Sequence, residues 1–363
     1  MSSETDSSTT ITGESSGRVV DRLRPVTGPV DSALSPLSST YNRFLGPHFG
    51  KMNGLQLALV VVSLVSLVTA PFWSNFIIVQ TFTLASIWAI FAMSWDIQSG
   101  YTGYISFGHS ALSGAAAYTT AMLLYNVGDL PFMATAPVSV LVTLVVGLAI
   151  ALPSLRLSGP YFSLITFVAV LIFYRLIRPF SDYTGGETGL QSVEVFTYDP
   201  IPRFYYMVIP MLVIAVALLF IARSNIGLVF TAIRENESAV EAAGLNATKF
   251  KLWSFVISAI PMGIGGVLLA HYSGGVDPNA FVVVDNSIEM IAMAVVGGMS
   301  SILGPLGGAF LFLSLDRIIL TELPTRLRWI LIWVFVLLVL VFARDGLLRK
   351  LWHGLDRLGG DRR

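Results

Sequence analysis

Side chains able to do chemistry are sparse in the apolar stretches of this chain, and their grouping limits what they do. Between Ser99 and Tyr118, the polar groups Ser106, His109, Ser110 and Ser113 sit beside Gly100, Gly103, Gly108 and Gly114. Hydroxyls and an imidazole among glycines suit a gate or path that hydrogen-bonds a small polar solute. They equally suit close packing or a fixed hinge at Gly103 and Gly108. Small residues let helices approach in lipid, and glycine permits a helix break where carbonyls line a cavity. No second His stands at ligand spacing from His109, so no metal site is expected. A second group, Tyr161, Ser163 and Thr166, follows the break at Gly159-Pro160, with Arg156 at the boundary before it. Glu289 lies inside the apolar run SIEMIAMAVVGG. An ionised carboxylate facing lipid is costly. Glu289 must therefore be interfacial, bonded to a neighbouring helix, or in contact with solute or a partner subunit. Asp96 and Asp316-Arg317 are expected at membrane edges or in local pairs. Gly297, Gly298 and Gly304 belong to a glycine-rich break between two short helices.

Several classes are excluded by what is absent. There is no Cys, which removes disulfides, thiol catalysis and Cys-based metal sites. No G-x-x-x-x-G-K-[ST] segment or comparable phosphate cradle is present. Lys plus Arg and Asp plus Glu both number 22, so no basic field invites nucleic acid. Only 12% of the 363 residues are charged and 54% are hydrophobic, whereas a soluble domain carries roughly 25% charged residues.

The elements that must position these groups are membrane helices. A span needs about 20 mainly apolar residues, and ten segments qualify, near 54–70, 76–95, 108–125, 133–152, 160–177, 205–222, 252–271, 283–297, 302–320 and 327–343. The fold expected is all-α and polytopic, with about ten transmembrane helices (eight to ten possible) and Gly-interrupted segments. A single soluble core does not need so many long apolar runs, and a β-barrel would alternate apolar and polar residues. Lys and Arg favour the cytosolic side. Arg43 and Lys51, then Arg223, Arg234, Lys249 and Lys251, then Arg344, Arg349 and Lys350 all fall on one side with ten spans. Both termini are thus expected in the cytosol of a multi-pass plasma-membrane protein. Residues 1–50 read as a disordered polar tail, 51–345 as the membrane domain with a 223–251 cytosolic loop, and 346–363 as a basic tail.

That loop is amphipathic rather than apolar. Ile233, Val240, Ala239, Ala242 and Ala243 offer small or apolar contacts, while Arg234, Glu235, Asn236, Glu237 and Glu241 are polar. Gly244 is a natural C-cap, with Leu245 as a hydrophobic contact beyond it, and a second helix is expected from near Asn246. By physics alone the pair is either a surface connector in the headgroups or a dock for a soluble partner.

Glu241-Ala242-Ala243-Gly244, within RENESAVEAAGLNATKFK, resembles the coupling loop of ATP-binding-cassette importer permeases. SGYTGYISFGHSALSGAAAY, LRLSGPYFSLITF, KLWSFVISA and GGVDPNAFVVVDNSIEMIAMAVVGGMSSILGPLGGA narrow the resemblance to the branched-chain amino acid permease family, in its LivM-type subunit. It covers roughly residues 54 to 345. Two departures stand out: Pro261 inside the apolar run AIPMGIGG, and the long polar tail.

The resemblance implies a coupling loop of Glu237, Ala239, Glu241, Ala242, Ala243 and Gly244. It implies that this chain binds no cofactor and that ATP and Mg act on two separate ATPase subunits. A homologous second permease subunit and an extracytoplasmic solute-binding protein complete the assembly. The implied solute is a branched-chain amino acid, with urea, short amides or other amino acids as alternatives. A secondary transporter, channel or membrane scaffold would share the hydropathy but need no ATPase.

Overall fold

The computed structural model describes residues 34, 36–43, 52–128, 130–157, 159–191 and 193–358. From Gly54 onward the longer helices are α1 (Gly54–Trp73), α2 (Phe76–Trp95), α3 (His109–Val127), α4 (Phe132–Ser154), α5 (Pro160–Ile177) and α6 (Pro200–Arg223). They continue as α7 (Asn225–Ala242), α8 (Ala247–Ser273), α9 (Val284–Gly297), α10 (Leu303–Ser314), α11 (Thr325–Phe342) and α12 (Leu347–Leu358). Helix occupies every one of the ten predicted spans, and among the described residues eight helices are long and apolar enough to cross a membrane. Helix α3 misses that measure because His109, Ser110, Ser113 and Asn126 dilute its apolar residues. Helix α10 misses it on length: 12 residues rise only about 18 Å, against roughly 30 Å of hydrocarbon.

The chain divides into two compact units, residues 1–70 with 349–363, and residues 71–348. In the first, residues 36–43 are helical within the segment read as a polar tail; Ser39 and Thr40 each donate a hydroxyl to the Pro36 carbonyl at 2.9 Å. Apart from residue 34, the rest of that predicted tail lies outside the described residues. Asn42 brackets Met52, taking its N–H at 2.8 Å and donating to its carbonyl at 2.9 Å. On α1, Val61, Val62, Leu64 and Val65 are exposed, as suits a lipid-facing surface.

In the second unit α2 and α8 lie at the centre, and α5, α6 and α11 carry the exposed apolar side chains, among them Leu164, Val213 and Leu337. Lipid tails remove the hydrophobic drive between helices, so small contact faces decide packing. The run Gly263-Ile264-Gly265-Gly266 of α8 meets three helices in four residues. A Cβ at Gly263 would sit 3.2 Å from Val140 of α4, one at Gly265 2.6 Å from the Phe91 ring of α2, and one at Gly266 2.4 Å from the Ser113 carbonyl of α3. Pro261, whose effect on the helix was open, is buried and α8 runs through it. It offers no N–H to the Ile257 carbonyl, and the neighbouring Ser258 carbonyl takes a bond from Ser94 Oγ at 2.6 Å.

The connections of this unit gather at two ends. At one, Phe196 stacks on His271 at 4.3 Å, Leu190 pairs with Val276 and Tyr174 donates to Asn279 Oδ1 at 2.6 Å. At the other lie the breaks after α2, α4, α7, α9 and α11.

Candidate functional site

Helix α7 is two helices joined at Asn236, whose backbone is extended (φ −162°, ψ 98°). Asn236 Oδ1 accepts the Ala239 N–H at 3.0 Å, so the residue that breaks the first helix caps the second. That second helix ends in a Schellman turn. Leu245 N–H donates to the Val240 carbonyl at 3.2 Å and Gly244 N–H to the Glu241 carbonyl at 2.9 Å, with Gly244 at φ +84°. Asn246 Oδ1 then accepts Lys249 N–H at 2.9 Å to start α8. Beneath, Ile233, Val240 and Ala247 are buried against Tyr104, Val229 and Phe250.

Of the predicted coupling residues, Ala239, Glu241, Ala242, Ala243 and Gly244 form one exposed turn. Leu245, expected as a contact, is 42% exposed and extends that surface. Glu237 instead points inward. Its carboxylate accepts Lys251 Nζ at 2.7 Å and the Tyr104 hydroxyl, and the Lys251 ammonium lies 4.4 Å from the Tyr104 ring centroid. Burial opposes the Glu237 charge, but the hydrogen bonds from Lys251 and Tyr104 outweigh it and hold the carboxyl below its ordinary value. The same burial, with the Glu237 bond, pushes the Tyr104 phenol up. Beside this group opens a cleft of about 360 Å³ lined by Tyr104, Leu155, Arg156, Glu241 and Lys251.

Tyr104 belongs to the break between α2 and α3. Helix α2 passes through a π turn, Asp96–Gly100, and the chain is irregular to Gly108. Trp95 Nε1 donates to the Ser106 carbonyl at 2.8 Å, Ser106 N–H to Ser99 Oγ at 3.1 Å and Phe107 N–H to Thr166 Oγ1 at 3.1 Å. Ser106, Gly108 and Thr166 therefore meet, as a shared site requires. His109 begins α3, fully buried, with Nε2 2.8 Å from Ser258 Oγ. Ser110 N–H donates to Ser287 Oγ of α9 at 3.0 Å. Three buried atoms here and just beyond have no partner among the described residues: His109 Nδ1, Ser110 Oγ and the Tyr118 hydroxyl. Unspent hydrogen-bonding capacity in a dry interior is costly, and such atoms suit a passing polar group or water.

Other predicted residues are placed apart. Tyr161 is 67% exposed, on the opposite side of α5 from Thr166. Glu289 is partly buried, without a hydrogen bond or ion pair among the described residues. Gly159 has φ +60° in open space, which fits a turn into α5. Gly297, Gly298 and Gly304 hold α9 against α10 backbone to backbone: a Cβ on Gly297 would fall 1.8 Å from the Gly304 carbonyl oxygen. Gly103 (φ +78°) leaves room for Arg234.

Asp96 was expected at a membrane edge or in a local pair; the structure gives it three backbone partners from a distant segment. It is fully buried and accepts the N–H groups of Ser300, Ser301 and Ile302 at 2.6, 3.1 and 3.2 Å. Asp316 does form a local pair, with Arg328 at 3.0 Å, more closely than with Arg317 at 3.9 Å. Sequence reasoning passed over Ser94, Ser258, Ser287, Tyr104 and Lys251 as site residues. Each is an ordinary residue until the fold brings its partner from a distant helix. The one available signal was the buried-span position of Ser258 beside Pro261.

A family model described as the permease component of branched-chain amino acid transport systems matches residues 77–342. The chain is 27% identical over 288 residues to the high-affinity branched-chain amino acid transport system permease protein LivM of Salmonella typhimurium, covering 71% of this chain and 67% of that one. It is 25% identical to the high-affinity branched-chain amino acid transport system permease protein BraD of Pseudomonas aeruginosa (75% and 95% covered). It is also 25% identical to the ribose import permease protein RbsC of Haemophilus influenzae (72% and 81% covered). No solved structure matches. With an all-helical membrane body, a glycine-built break and an exposed Glu-Ala-Ala-Gly turn, the chain belongs to the branched-chain amino acid transport permease family, as a LivM-type component.

Proposed function

We propose that this chain is one of two related permease subunits of an ATP-driven importer that moves branched-chain amino acids delivered by a solute-binding protein. The observation that carries the reading is the exposed 239–245 turn, which stands on side chains tied directly to the broken segment before His109. A soluble motor gripping that turn pulls on the wall of the polar core. Ser106, His109, Ser110 and Thr166 then line or gate the path, and ATP with Mg binds partner ATPases. The basic residues Arg223, Lys249, Arg344 and Arg349 favour placing the turn and both termini in the cytosol.

Supporting the solute is the family; the apolar core with a few hydroxyls would also pass urea, short amides or other amino acids. The ribose permease among the relatives gives a sugar a specific second claim. Affinity purification of the tagged full chain tests the assembly: a sibling permease and two ATPases should co-purify. A chain isolated alone yet active in uptake is a secondary transporter or channel. Competition of uptake by leucine, urea and ribose in proteoliposomes decides the solute.

A further inference from the structure

Three segments distant in sequence converge beside the exposed turn: the π turn ending in Gly100, the bend between α9 and α10, and Arg234 on α7. The bend holds two non-glycine residues at positive φ, Ser300 at 60° and Ile302 at 55°, each costing about 1–2 kcal/mol. Such a shape persists only where its surroundings impose it, and here the three consecutive N–H groups on the Asp96 carboxylate do so. Ser300 Oγ donates to the Gly100 carbonyl at 2.6 Å. The Arg234 guanidinium closes the group, donating to the Gly100 carbonyl at 3.3 Å and to Ser300 Oγ.

Glu237 also ties α7 to the 96–108 break, through Tyr104, but it does not touch the bend. Arg234 touches both. Each of the two segments it grips leads into the polar core. The π turn continues to Ser106 and His109. The bend is the end of α9, which carries Ser287 on the Ser110 N–H. Both bonds leave Nη1 of an always-charged guanidinium, whose Nε and Nη2 are held by Glu235 Oε1, so one oriented donor spans the two segments.

We infer that Arg234, clasping Gly100 and Ser300 with Asp96 behind them, is the positioning residue that converts movement of the 239–245 turn into movement of the path. The inference rests on the turn being the ATPase dock. The clasp moves as one body, so that turn, π turn and bend shift together.

The test uses the reconstituted assembly in proteoliposomes, reading ATPase co-purification, ATP hydrolysis and solute taken up per ATP. Arg234→Met keeps the aliphatic stem and removes every donor. It should retain the ATPases and their hydrolysis while uptake per ATP falls about tenfold or more. Arg234→Lys, which restores one charged donor, should recover part of the loss. Unchanged uptake per ATP in Arg234→Met, or loss of the ATPases from it, would overturn the inference. If the unaltered chain itself retains no ATPase, it is the proposed function that fails. Because the chain contains no Cys, Arg234→Cys with Ser300→Cys supplies a second measurement. This pair should be uncoupled, and a short thiol-bridging reagent should restore uptake per ATP. A bridge that forms without restoring it overturns the one-body clasp.

Discussion

Lys251 Nζ lies 2.7 Å from Glu237 Oε1, joining the second turn of α8 to the helix that carries the exposed 239–245 turn. The pair is lopsided: the lysine side chain is 5% exposed and the glutamate 28%. Glu237→Leu strands a buried ammonium and should destabilise the chain by roughly 1–3 kcal/mol, short of the full cost of a completely buried pair. Lys251→Met leaves a carboxylate that still reaches water and should cost less. Urea or thermal unfolding of both variants in the same detergent checks the order.

The pH response of this pair has a definite sign. The folded-state value of Glu237 is lowered from 4.5, so its contribution is fully present above 4.5 and is lost as pH falls through the lowered value. A spin label at Leu245→Cys, in this Cys-free chain, should report unchanged mobility from neutral pH down to 4.5. It should loosen only in stronger acid, and Glu237→Gln should abolish that acid step.

Gly244 is tolerant of volume but not of backbone. Nothing lies within 4 Å of a Cβ built there, yet its φ is +84°. Gly244→Val should therefore distort the Schellman turn at about 1–2 kcal/mol and uncouple ATP hydrolysis from uptake. Gly244→Asn, which accepts left-handed φ, should be mild. Normal coupling in the valine variant would remove this turn from the mechanism.

Glu241 is exposed and contributes nothing to the packing below it. Glu241→Lys should leave thermal stability unchanged while weakening retention of the ATPases in a pull-down. An unaltered pull-down would release Glu241 from docking.

His109 and Ser258 test the polar core. Ser258→Ala leaves a fully buried imidazole without its 2.8 Å partner and should cost about 1–3 kcal/mol, with uptake reduced. Ser163→Ala, at a more exposed hydroxyl bonded to the Ile105 carbonyl, should cost less than 1 kcal/mol by the usual net value of such a bond.

Helix positions were legible because each depends on a local run of apolar residues long enough for hydrocarbon. Thus Phe76–Trp95 and Pro160–Ile177 agree with the predicted bounds to the residue. The turn at Gly244 and the cap at Asn246 were legible for the same reason, since each cap closes on its own neighbours. Asp96 was not. Its residue type and position say only that a carboxylate ends an apolar run. Its role depends on three N–H groups more than two hundred residues away. Glu237 read only as one of several polar residues of the loop, because amphipathic spacing fixes a face but not what covers it. Only the packing of Tyr104 and Lys251 against α7 turned it inward. The amino-acid sequence by itself determined where the helices lie and the membrane that surrounds them, because those follow from interactions a few residues long. The tertiary structure alone decided which polar groups meet, because a hydrogen bond requires a few ångströms between atoms that the chain order leaves far apart.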